Sequence, residues 1–124
     1  MQKRYLIDMF ATRIEGDIQR VAESHELYLL ETHHSAQAYG IGEEKRFDVV
    51  RRTDNVPIAL VALSQQKDGT QLLITDEPHC QRQGDGFRHD AFADFADLVL
   101  AGLGRDWKIE SLTTDGARLD EERD

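Results

Sequence analysis

Two kinds of periodicity run along this 124-residue chain. The clearest strand signal is Val56 to Thr75, VPIALVALSQQKDGTQLLIT. Two apolar runs flank Asp68-Gly69, a dipeptide that accepts the positive φ angles of a tight hairpin turn. With Asp68 and Gly69 as the turn, Leu63 faces Ile74 and Gln65 faces Leu72. One face of the ribbon then carries Val61, Leu63, Leu72 and Ile74, and the other carries Ile58, Leu60, Ala62 and Leu73. A ribbon with one wet side alternates apolar with polar residues. This ribbon does not, so the pattern predicts cover on both sides, from helices of the same chain or from a second chain.

Upstream the period changes. Leu6, Met9, Phe10, Ile14, Ile18, Val21 and Ala22 recur at spacings of three and four, and His25, Tyr28 and Leu29 continue the stripe. That is the helical period, and it predicts one long helix or two shorter ones across 3–32, with Ser24 as a natural break. A single helix of that length spans roughly 45 Å at 1.5 Å per residue. Such a helix calls for a partner subunit to pack against.

After the loop signals Gly40 and Gly42, KRFDVVRR reads as a strand and Thr53-Asp54-Asn55 as a turn. Pro57 suits the first position of the next strand, where a missing N–H is tolerated. The pattern predicts an antiparallel meander of 45–52, 57–65 and 70–76. Residues 76–88 form a polar connection. A second helix follows over 89–103, with Phe92, Phe95, Leu98, Val99 and Leu103 on its apolar face. Trp107 and Ile109 alternate as in a short strand, and Asp115-Gly116 offers another turn. The expected fold is α+β: an antiparallel three- to four-stranded sheet packed with two main helices, in the order α-β-β-β-α-β. One domain spans 1–124, with 120–124 frayed.

Composition narrows the function. At 40% apolar and 31% charged residues, the chain has the make-up of a soluble globular domain. A net charge of −9 excludes nonspecific binding to nucleic acid and disfavours an anionic membrane surface. No stretch reaches transmembrane length. The first apolar run is broken by Asp8, Arg13 and Glu15, unlike a signal peptide. Acid concentrates at the ends: residues 1–44 hold eight acidic and four basic side chains, 45–89 six and seven, 90–124 ten and four. A basic protein partner would be steered to such ends. Cys80 is the sole cysteine, so an internal disulfide is impossible and a cytoplasmic location fits.

Several side-chain sets merit weighing as sites. Asp76, His79 and Cys80 are metal-capable residues in the polar connection, but their spacing matches no zinc signature. Arg82, Arg88 and His89 lie where an anion could meet the start of the second helix. Glu31 and His34 share the three-residue spacing of di-iron bundle ligands, which need four helices. Lys45, Arg46, Arg51 and Arg52 flank the first meander strand, as edge protection or in pairs within the chain. No catalytic set and no cofactor motif emerges. The expectation is a noncatalytic interaction or regulatory domain, homodimeric through Phe10, Ile14, Ile18, Val61 and Leu63. The alternative is a small enzyme or an anion- or metal-binding protein using the 76–89 loop.

Overall fold

The computed structural model describes residues 2–32, 43–76, 89–104 and 106–112, with the backbone alone for 89–92. Its elements are β1 (Gln2–Ile7), α1 (Ala11–Ser24), β2 (Leu27–Glu31), β3 (Glu44–Arg51), β4 (Pro57–Gln66), β5 (Gly69–Thr75), α2 (His89–Gly102) and β6 (Ile109–Leu112). The strands form one sheet in the order β2-β3-β4-β5-β1-β6, and every neighbouring pair is antiparallel.

The α+β class with two helices and an antiparallel sheet stands, but the sheet has six strands, not three or four. The order corrects to β-α-β-β-β-β-α-β. The difference lies in 3–32, which is strand, helix and strand rather than continuous helix. In β1 the buried residues Tyr5 and Ile7 alternate with half-buried Arg4 and Leu6, a period of two. That strand is held by β5 and β6, whose partners lie 63 to 108 positions further on, from Ile7↔Thr70 to Arg4↔Leu112. Local spacing carries no record of such distant pairing, so Leu6 and Met9 read as part of the stripe that truly begins at α1.

Within α1, Ala11, Ile14, Ile18 and Ala22 are buried at the expected three- and four-residue intervals. The helix ends at Ser24, and His25 and Glu26 turn the chain into β2. Glu26 takes φ +59°, the left-handed conformation that usually carries glycine at a helix end. Here a glutamate does it, which removes the usual stop signal from the sequence. The over-long helix therefore disappears, and with it that argument for a partner subunit.

The meander strands and α2 begin and end within one residue of expectation. At the hairpin the register differs. Gln66 pairs with Gly69, Lys67 and Asp68 form the loop, and Leu63 sits opposite Leu72 rather than Ile74. A slip of two residues leaves every side chain on its face. Val61, Leu63, Leu72 and Ile74 therefore still share one face, each with no exposed surface. Burying a side chain of this size stabilises by roughly 1.5–3 kcal/mol.

Both helices cover this face. Ile14, Ile18 and Ala22 of α1 and Phe95, Ala96 and Val99 of α2 share one core with Tyr5, Phe47, Val49, Val61, Leu63, Leu72 and Ile74. The two helices also meet, since a methyl at Gly102 would lie 2.3 Å from Cγ2 of Val21. Among the described residues, no helix is long and apolar enough to cross a membrane.

Candidate functional site

The other face of the sheet is the first feature with functional content. Alternation and register place Arg4, Leu6, Leu60, Ala62, Leu73, Leu112, Arg46, Asp48 and Leu30 there. Leu6, Leu60 and Leu73 are half-buried, and Leu30 is 53% exposed. Among the described residues, no helix lies against this side. The cover expected on both faces is thus supplied on one by α1 and α2, and on the other only in part. Arg4 Nε is buried on this side without a hydrogen-bond partner.

The second feature lies at the rim, where the β1–α1 loop meets the β4–β5 hairpin. Phe10 precedes α1 in extended conformation and supplies no side-chain cap. The cap comes from β4: Gln65 Oε1 accepts a hydrogen bond from Ala11 N at 2.8 Å. The Gln65 amide then donates to the carbonyls of Gln66 and Gly69, at 3.0 and 3.1 Å. Thr70 Oγ1, fully buried, donates to Met9 O at 2.7 Å. Gly69 takes φ +143°, and a Cβ there would stand 2.3 Å from the carbonyl oxygen of Ile7. Loop and hairpin are locked together by these contacts. Between them lies a cleft of about 530 Å³ lined by Asp8, Met9, Phe10, Gln65, Gln66, Lys67, Asp68 and Gly69. A smaller cleft of about 240 Å³, lined by Leu6, Asp8, Asp68, Lys108 and Glu110, adjoins it across Asp8 and Asp68.

Phe10 stands at this rim with 71% of its surface exposed. Of the expected interface set it alone is at the surface. Ile14, Ile18, Val61 and Leu63 have no exposed surface and are packed within the chain. The 76–89 loop falls largely outside the described residues, including His79, Cys80, Arg82 and Arg88, and the side chain of His89 likewise. Asp76, directly after β5, is fully buried and engaged. His25 is exposed at the end of α1 rather than packed in the stripe, while His33 and His34 lie outside the described residues. Among the described residues, no three His, Cys, Asp or Glu side chains gather to hold a metal ion.

The basic flanks of β3 pair within the chain. Arg51 makes two hydrogen bonds to Asp54, at 3.0 and 2.7 Å, which hold that carboxyl below its usual range. Arg52 stands over the Tyr28 ring at 5.4 Å. Lys45 lies 3.9 Å from Glu15, and Arg46 3.6 Å from Glu44. β2 pairs with residues 47–51 of β3, so edge protection does not apply to Arg51, while Lys45 lies beyond that pairing. Asp8, Met9, Gln65 and Thr70 escaped the sequence reading. The hairpin glycine marks one half of the rim, but nothing local shows that the β1–α1 loop reaches it. No protein-family model matches this chain, and neither does any curated protein or solved structure.

Proposed function

We propose that the chain is a noncatalytic interaction domain that self-associates in the cytoplasm through the sheet face that neither α1 nor α2 covers. The observation that carries this reading is the one-sided packing: both helices cover one face, while Leu6, Leu60 and Leu73 are half-buried on the other and Leu30 is exposed. Ala62 and Leu112 on that face are buried, so its accessible apolar surface comes from these four leucines, and partly accessible apolar surface of this kind suits an association face.

Charge favours a second copy as the occupant. The molecule carries −9 overall. This face carries Arg4 and Arg46 against Glu44, Asp48 and Glu110, so it is close to neutral. Two acidic chains can meet there without burying a surplus of like charge, and a two-fold arrangement sets each patch against its own copy. Size agrees as well. Six strands about 4.8 Å apart and some 20 Å long make a footprint of roughly 25 by 20 Å. With side-chain relief, that approaches the ~800 Å² per partner of a standard interface. The single cysteine supports the reducing location, and the acidic ends support a further, basic protein partner.

Sedimentation velocity over a wide concentration range tests the reading. A concentration-dependent dimer is expected for the native chain. Leu73→Glu and Leu30→Glu should each weaken it while leaving the circular dichroism spectrum intact. A monomer at every concentration, or a dimer indifferent to both substitutions, refutes it.

A further inference from the structure

The rim between the β1–α1 loop and the β4–β5 hairpin combines three properties that self-association does not use. It is concave, with a cleft of about 530 Å³ opening beside Phe10. Of its apolar part, Met9 is half-buried against the core and Phe10 is among the most exposed large apolar side chains of the described residues. Its wall is rigid, because Gln65, Thr70 and Gly69 tie the loop to the hairpin. Preorganised walls lower the ordering cost of binding.

The electrostatics select the occupant. Lys108 lies 3.2 Å from Glu110 and answers that charge. Asp8 and Asp68 line both clefts, are exposed, and form no ion pair among the described residues. Lys67 also lines the larger cleft, and these two carboxylates outnumber it. An apolar shelf thus lies directly beside two unanswered carboxylates.

We infer that this rim cleft is the docking site for an extended basic–apolar segment of a partner protein, with an apolar side chain against Met9 and Phe10 and the neighbouring Lys or Arg between Asp8 and Asp68. The apolar contact supplies affinity, and the cation supplies orientation and encounter rate. Desolvating Phe10 gives such a contact its anchor, as buried aromatic residues do at interfaces generally. The basic partner suggested by the acidic ends of the chain acquires a specific seat. That seat borders the sheet face opposite α1 and α2, since Leu6 and Glu110 line the smaller cleft, but its anchor, Met9 and Phe10, lies beyond β1 and outside that face.

The test uses the full-length, isotope-labelled chain and a panel of short capped peptides with Leu-Arg, Ile-Lys or Phe-Arg cores. Leu-Glu and Ser-Arg peptides serve as controls. Amide shifts on titration should cluster in 8–11 and 65–70 for the basic–apolar peptides and be lost with either control. Phe10→Ser and the double change Asp8→Asn, Asp68→Asn should each weaken binding about fivefold or more, as an exposed ion pair or apolar contact allows. Both sets of residues are exposed, so the fold should survive, and an unchanged amide spectrum verifies it. Leu73→Glu, which targets the sheet face, should leave peptide binding unaltered, so this site and the dimer can fail separately. No clustered shifts at millimolar peptide, or equal binding of the Leu-Glu control, overturns the inference.

Discussion

Replacing Gly69 by alanine tests the joint between β1 and the β4–β5 hairpin. Two costs add. At φ +143° an L-residue is strained, and a Cβ would stand 2.3 Å from Ile7 O and 3.1 Å from Ile7 C. Backbone strain of this kind costs about 1–3 kcal/mol. The overlap is with main chain, so no rotamer change relieves it, and β1 or the hairpin must shift. Overpacking adds about 1–3 kcal/mol. The sum, about 2–6 kcal/mol, is a large fraction of the roughly 5–15 kcal/mol that holds a domain folded. At this chain length it lowers the melting temperature by about 10–20 °C. Gly16→Ala is the matched control. Gly16 is exposed on α1, and a Cβ there meets nothing within 4 Å. Removing a helix-interior glycine should stabilise by about 0.5–1 kcal/mol. Thermal and urea unfolding followed by circular dichroism read both. If Gly69→Ala shifted stability by no more than Gly16→Ala, the close approach of Ile7 to the hairpin would be refuted.

Three further outcomes are expected. Leu63→Ala removes a side chain with no exposed surface and should cost about 2–5 kcal/mol in urea unfolding; a loss below 1 kcal/mol would mean that the helices do not close over that face. Gln65→Leu leaves Ala11 N and the Gly69 carbonyl without their side-chain partner and should cost about 1–2 kcal/mol, with faster hydrogen exchange at Ala11 as the local signature; unchanged exchange there contradicts the cap. Burial, and then the nearby Asp97 carboxylate, raise the Tyr5 hydroxyl above its ordinary 10.0. A raised folded value means that this contribution is complete below the unfolded value and is lost as pH rises through the folded one. Stability should therefore fall on the alkaline side of about pH 10, and Tyr5→Phe should flatten that limb; parallel profiles for the two proteins would rule the effect out.

Legibility in the sequence followed the range of the contacts involved. The β3–β4–β5 meander and α2 were readable because each pairs or packs in a way that neighbouring residues record. Asp54 and Asn55 mark one turn, with Asn55 at φ +59°, and Asp68 and Gly69 mark the other. Even the register error at the hairpin was harmless to the faces, since two residues is one full strand period. The two N-terminal strands were another matter. The residues of β1 are apolar enough to extend the helical stripe, and β2 is short, with Leu27, Leu29 and Leu30 run together. The glutamate at the end of α1 gave no stop signal.

By itself, then, the order of residues determined the α+β class, the apolar meander, the second helix and the acidic character of the surface, because these depend on local propensity, periodicity and summed charge. Only the tertiary structure decided that β1 enters the sheet between β5 and β6, that both helices lie on one face, and that Asp8 and Phe10 meet the hairpin at the rim. Each of these joins residues dozens of positions apart. Their stability resides in the pairing itself, a property of neither segment alone.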